Sequence, residues 1–185
     1  MLLSIVTTLY QSEDTILDFH TRISAAAKAV AENDYEIIFV NDGSSDLSFT
    51  LAKDLHKKDS KVSIVELSKN YGHHRAMMVG LEHSSGELVF LIDSDLEEKP
   101  EELVNFYKIL KQDQSLDVVY GVQNERKGGF LERIFGLVFY KLFNFLSDNV
   151  TIPENSSTIR IMKREYVNAL LSFKDKEIYF TPLAD

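Results

Sequence analysis

Residues 87–95 read Glu87-Leu88-Val89-Phe90-Leu91-Ile92-Asp93-Ser94-Asp95, and the fold follows from how that stretch ends. An apolar run of strand length, rich in residues that favour strands, runs straight into two carboxylates separated by one residue. A run apolar at successive positions suits a strand covered on both faces. Two carboxylates crowded at its end repel each other unless a cation sits between them.

The same pattern recurs on either side. Strands are expected at 2–8, 35–40, 62–67, 87–92 and 116–122. Helical spacing falls between them at 13–30, 45–57, 75–83 and 100–110, the last with Pro100 in its first turn. Strands alternating with helices of this length predict βαβ units and a mostly parallel central sheet with helices on both faces. Ligands of such sheets bind beyond the carboxyl ends of the strands. Each of the first four strands empties there into polar or aromatic residues: Leu9-Tyr10, Asn41-Asp42-Gly43-Ser44, Ser68-Lys69-Asn70-Tyr71-Gly72 and Asp93-Ser94-Asp95. Turn chemistry alone would also select many of these residue types.

Composition bounds the function. The 185 residues suit one domain, expected to span 1–185, with 44% hydrophobic and 26% charged residues. There is no cysteine, which excludes a disulfide scaffold, thiolate metal sites and a cysteine nucleophile. The net charge of −9 argues against nucleic-acid binding, which needs a basic footprint. An acidic protein that handles anionic phosphates needs a cation between the two. Asp93-Ser94-Asp95 can supply its site: Mg²⁺ or Mn²⁺ takes one or two carboxylates plus phosphate oxygens. An extended backbone would point Asp93 and Asp95 the same way. Glu97 is a third candidate ligand, with Glu98 facing solvent or the next helix. The helix expected after the third strand could turn its N-terminus and Arg75 to phosphate. His73 and His74 do not make a joint metal site, because adjacent helical residues diverge by about 100°.

Taken together, Leu9-Tyr10-x-x-Glu13, Asn41-Asp42-Gly43-Ser44-Ser45-Asp46, Leu67-Ser68-Lys69-Asn70-Tyr71-Gly72, Gly80-Leu81, Ser85-Gly86-Glu87 and the run Asp93 to Pro100 resemble the family 2 glycosyltransferases. The similarity is greatest to the branch of dolichyl-phosphate mannosyltransferases and bacterial polyprenyl-phosphate glycosyltransferases. The resemblance covers about residue 3 to about residue 170. It implies a GT-A type α/β fold and an inverting, metal-dependent transfer from a nucleoside-diphosphate sugar to a polyprenyl phosphate or other envelope acceptor. Thr8, Leu9, Tyr10 and Glu13 would line the base and ribose, with Asp42 on the base and Asn70, Gly72 and Ser94 completing the nucleotide-sugar site. Asp93, Asp95 and Glu97 would hold Mg²⁺ or Mn²⁺. A UDP-sugar is the first expectation, because Asp42 suits a pyrimidine imide N–H, and GDP-mannose the next.

Two departures bear on the acceptor. The family's additional Arg after the fifth strand is replaced by Gln123-Asn124, and a Gly-Asp-Phe-Arg type segment becomes Ser157-Thr158-Ile159-Arg160, so Thr158 stands where relatives carry Asp. An acceptor phosphate has its second pKa at about 6 and is already an anion at neutral pH. It needs cations more than a carboxylate base, and Arg126, Arg133 and Arg160 are the candidates, Arg160 also for catalysis. Ordinary surface arginines are the plainer alternative.

Between 130 and 146, 12 of 17 residues are apolar, interrupted by Glu132, Arg133, Lys141 and Asn144. That is too short and too charged to span a bilayer and suits a core helix or an interfacial one. The N-terminus does not read as a signal peptide. The ending at Phe180–Asp185 leads us to expect a piece of a longer chain, soluble as given, with transmembrane segments beyond it and the full-length protein on the cytoplasmic side of the cell membrane. Three other readings compete. A nucleotidyltransferase would need a glycine-rich basic first loop, which residues 7–14 lack. A phosphoacceptor signalling domain would need an acidic pair where Tyr10-Gln11 stand. The third is a sugar-nucleotide-binding module that has lost its chemistry.

Overall fold

The structure, a computed structural model, describes residues 1–122 and 156–172. Arg126, Arg133 and the apolar stretch 130–146 lie outside the described residues. Along the chain run β1 (Leu3–Leu9), α1 (Ile16–Ala31), β2 (Tyr35–Asn41), α2 (Ser48–Lys58), β3 (Val62–Glu66) and α3 (His73–His83). They are followed by β4 (Leu88–Leu91), α4 (Glu102–Gln112), β5 (Val118–Val122), β6 (Ser156–Lys163) and α5 (Arg164–Ser172). The six strands form one sheet in the order β3-β2-β1-β4-β6-β5. The first four strands of that order run parallel, while β6 lies antiparallel between β4 and β5.

Burial explains the apolar runs. All seven residues of β1 and all four of β4 are buried. On one face Leu3, Ile5, Phe39 and Phe90 pack under α1, α2 and α4, with Phe19 edge-on to Phe39 at 6.2 Å. On the other, Val6, Ile38, Val40, Val89 and Met162 pack under α3 and α5. At about 25 cal/mol per Å², these two layers supply the main driving force for folding. Among the described residues no helix is long and apolar enough to cross a membrane.

The expected elements are present with shifted ends. Helices α1 and α2 begin later than the periodicity places them, because Ser, Asp and Glu side chains of the preceding loops capture loop N–H groups that a helix would otherwise use. Helix α3 begins two residues early, at His73, because the Gly72 N–H is already held by Asp42 and Asn70 at 3.0 and 2.9 Å. Strand β6 and helix α5 are additions that hydrophobic periodicity did not locate.

Candidate active site

The carboxyl ends of β1, β2, β3 and β4 lie along one edge of the sheet, where ligands of such sheets bind. Side chains alternate across the sheet, so Thr8, two residues beyond Val6, stands on the α3 face. There Thr8 Oγ1 lies 3.1 Å from Nδ1 of His73, the first residue of α3. The other ring nitrogen, Nε2, is 3.2 Å from Asp93 Oδ1. That approach falls outside hydrogen-bond geometry, and Oδ1 is a buried oxygen without a hydrogen bond. Burial pulls the His73 pKa down even though Asp42 and Asp95 pull it up, so the neutral ring is favoured. Sequence reasoning considered His73 only as half of a histidine pair. Its contact with Asp93 needed the fold. His74 lies beside Arg160, and burial, then His73 and Arg160, lower its pKa.

Asp93 and Asp95 are not carried on an extended strand. β4 ends at Leu91, residues 94 and 95 form a turn, and Leu96 takes φ 63°. Asp95 Oδ1 accepts the Glu97 N–H at 2.9 Å, as Asp does in turns. Glu98, expected at solvent or at the next helix, instead accepts a hydrogen bond from the Ser157 hydroxyl of β6. The cluster still acts on Asp93. Burial above all, then Asp95, Glu98 and Glu97, push its carboxyl up to about 7, while a hydrogen bond from Thr158 opposes them. The antiparallel register pairs Leu91 with Arg160; two residues further on, it brings Thr158 opposite Asp93.

Several of the residues expected at the nucleotide also hold neighbouring loops. Leu9 is fully buried in the core, and its carbonyl accepts from Asp42 N–H at 3.0 Å. Ser94 is buried on the α1 side, donating to Thr8 O at 2.8 Å and lying 3.1 Å from Ser12 Oγ. Glu13 accepts the Leu47 N–H at 2.8 Å, while its own N–H donates to Asp46 at 3.1 Å. Ser12 N–H donates to Ser48 Oγ at 2.8 Å and Gln11 N–H to Ser44 Oγ at 3.0 Å. The loops after β1 and β2 are therefore locked together side chain to backbone. Tyr10 and Tyr71 stay exposed at the rim.

Arg160 is not a surface arginine. It is 1% exposed, and its guanidinium donates to the carbonyls of Ser157 at 3.0 Å and Thr158 at 3.2 Å. A buried cation needs such acceptors to offset lost hydration.

Among the described residues no three His, Cys, Asp or Glu side chains converge as a metal-binding group. Leu96, with φ 63°, stands between Asp95 and Glu97. A two-carboxylate site does fit. Asp93 presents a buried oxygen without a hydrogen bond, Asp95 is exposed one turn away, and Mg²⁺ or Mn²⁺ commonly takes one or two carboxylates with phosphate and water.

With this geometry in place, the comparisons define the class. Residues 4–171 match the family described as glycosyl transferase family 2, and the chain belongs to it. A protein of Mycobacterium tuberculosis (strain CDC 1551 / Oshkosh) with a glycosyltransferase name is 44% identical over 96% of this chain and 51% of its own. The undecaprenyl-phosphate 4-deoxy-4-formamido-L-arabinose transferase of Pseudomonas fluorescens (strain Pf0-1) is 32% identical over 98% of this chain and 53% of its own. The chain thus spans about half the length of these relatives. The mannosyltransferase PcManGT of Pyrobaculum calidifontis, solved with GDP-Man and Mn²⁺, superposes with a TM-score of 0.67 at 17% identity, over 98% of this chain and 49% of that one. The fold is that of the GT-A glycosyltransferases.

Proposed function

We propose that the carboxyl edge of the sheet binds a nucleoside-diphosphate sugar with a divalent cation and that the whole protein transfers the sugar, with inversion, to a polyprenyl phosphate at a membrane surface. The observation that carries this reading is Asp93: a carboxyl crowded by Asp95, Glu98 and Glu97 and pushed to about 7 is an anionic site that a cation would relieve. Asp93 and Asp95 would hold Mg²⁺ or Mn²⁺, which when bound supplies charge neutralisation and Lewis acidity towards the departing diphosphate. Thr8, Tyr10, Asn70 and Gly72 border the space left for the nucleotide. Arg126 and Arg133 would bind the acceptor phosphate, with Arg160, buried against the Ser157 and Thr158 carbonyls, adding its positive charge from within β6. The P. fluorescens relative, named for undecaprenyl phosphate, supports this acceptor class.

An acceptor phosphate that is already ionised needs no carboxylate base, which suits Thr158 beside Asp93. The same neutral side chain favours a second reading, sugar-nucleotide binding without transfer. Slow metal-dependent hydrolysis of the donor would separate the two, since a pure binding module would not release sugar. The decisive measurement is calorimetric titration of UDP, GDP and CDP with and without Mn²⁺, on the wild type and Asp95→Asn. Mn²⁺-dependent binding of one nucleotide, weakened at least about tenfold in the variant, is the expected result. Absence of binding by all three would overturn the proposal.

A further inference from the structure

The two hydroxyl residues near the start of β6 reach the acidic turn from opposite faces of the sheet. Ser157 is buried, and its Oγ donates to Glu98. Thr158 is the next residue, and side chains alternate across a strand, so it stands on the other face, the one covered by α3. The antiparallel register that pairs Leu91 with Arg160 sets Thr158 across from Asp93. Residues directly opposite have Cβ atoms about 4.5–5.5 Å apart, a span that a hydroxyl and a carboxylate can bridge. The Thr158 hydroxyl donates to the Asp93 carboxyl. Oδ1 of Asp93 carries no hydrogen bond and faces His73 Nε2 at 3.2 Å, so Oδ2 is the oxygen that Thr158 holds.

The backbone that carries both hydroxyls is itself fixed. The buried Arg160 guanidinium donates to the carbonyls of Ser157 at 3.0 Å and Thr158 at 3.2 Å. Ile159 N–H donates to Ser157 Oγ at 3.4 Å, so that hydroxyl accepts as well as donates.

Asp93 and Glu98 are the two ends of the acidic turn, with Asp95, Leu96 and Glu97 between them. Carboxylates crowded in one turn repel one another, and hydroxyl donors from another strand oppose that spread. From this arrangement we infer that Ser157 and Thr158 are positioning residues: their hydroxyls form a clasp that pins both ends of the turn 93–98 to β6 and leaves Oδ1 of Asp93 as the oxygen for a ligand. The clasp itself stands without any ligand. Its consequence for cation binding rests on the function proposed above.

The test removes the hydroxyls one at a time. Thr158→Val keeps the shape of the side chain and loses the donor, Thr158→Ser keeps the donor, and Ser157→Ala releases Glu98. Side-chain carboxyl ¹³C NMR at one pH, on the protein without metal or nucleotide, reads the clasp directly. The Asp93 signal is expected to move in Thr158→Val and the Glu98 signal in Ser157→Ala, with Thr158→Ser close to the wild type. In the wild type the Ser157 and Thr158 hydroxyl protons should exchange slowly enough to be observed, and that arm needs no variant to fold. Mn²⁺ binding in the presence of UDP, GDP or CDP, followed by the electron paramagnetic resonance of the free ion, should weaken about tenfold in Thr158→Val and recover in Thr158→Ser. Fast exchange of both hydroxyl protons in the wild type would overturn the inference, as would carboxyl signals that stay in place in both Thr158→Val and Ser157→Ala. Equal Mn²⁺ affinity in Thr158→Ser and Thr158→Val would also overturn it, because a loss of packing alone does not follow the hydroxyl. Should the wild type bind no Mn²⁺ with any of the three nucleotides, the proposed function falls, and the carboxyl and hydroxyl signals still decide the clasp.

Discussion

The two ends of this sheet are built from similar residues and treat them oppositely. At the amino ends of the strands Glu36 Oε1 accepts from Ser4 Oγ at 2.6 Å, Ser85 Oγ at 2.8 Å and Ser85 N–H at 2.9 Å. Gly86 N–H donates to Ser4 Oγ at 2.7 Å, and Arg164 donates to the Gly86 carbonyl and to Ser84 Oγ. At the carboxyl ends Asp93 Oδ1 and His74 Nδ1 are buried without hydrogen bonds, and four acidic residues crowd within six positions of sequence. Buried polar atoms are nearly always paired, so unpaired ones mark a place that is costly to keep and useful to a ligand. The comparison assigns stability to the amino rim and, under the function proposed above, chemistry to the carboxyl rim.

The largest effect expected from breaking that division is at Gly86. A Cβ there would meet Ser4 N at 2.6 Å, Leu3 C at 2.8 Å and Leu88 O at 2.8 Å. Gly86→Ala should therefore cost about 2–3 kcal/mol of stability, measured by denaturant unfolding, while nucleotide affinity of the folded protein stays unchanged. A loss of affinity as well would show that the two rims are coupled.

Asp93→Asn should act in the opposite direction. The Asp93 carboxyl is raised from 3.8 to about 7, so the folded protein keeps a proton that the unfolded chain releases. That contribution is fully present below the unfolded value and is lost as pH rises from about 4 through about 7. In the metal-free protein at pH 7.5, Asp93→Asn should raise stability by on the order of 1–2 kcal/mol and abolish Mn²⁺-dependent nucleotide binding. Parallel stability-against-pH curves for the two proteins would sink the idea that this carboxyl is strained.

The smallest effect belongs to a site in neither class. Arg22 grips Glu101 through Nε to Oε1 at 2.8 Å and Nη2 to Oε2 at 2.7 Å, and this hydrogen bonding holds the Glu101 carboxyl down to about 2. The pair persists above the usual Glu range and is lost only as pH falls through about 2. Being exposed and screened, it should leave the melting temperature nearly unchanged in Arg22→Gln. A clear drop in melting temperature would mean that the α1–α4 contact contributes more than its exposure suggests.

The order of strands and helices through β5 was legible because two periodicities, one for strands and one for helices, follow directly from backbone geometry. Strand β6 was not: Ser156-Ser157-Thr158-Ile159-Arg160-Ile161-Met162 buries an arginine at its centre, and pattern reading treats Arg as surface. What makes that burial possible is the pair of carbonyls the Arg160 guanidinium reaches, and these are not visible in residue types. The ends of helices α1, α2 and α3 moved for a similar reason, since their boundaries are set by side chains from another loop.

The sequence by itself determined the class of fold and the acidic cluster at the carboxyl end of β4, because each depends on local order along the chain. Only the tertiary structure decided which partners the polar residues of these loops find. Ser94, Glu13 and Asp42 are of the types that bind nucleotides, yet their hydrogen bonds go to neighbouring loops, and Thr158 and His73 reach Asp93 across strands and helices distant in sequence. A hydrogen bond needs about 3 Å and a defined angle between two groups, and no spacing along one chain specifies that for partners tens of residues apart.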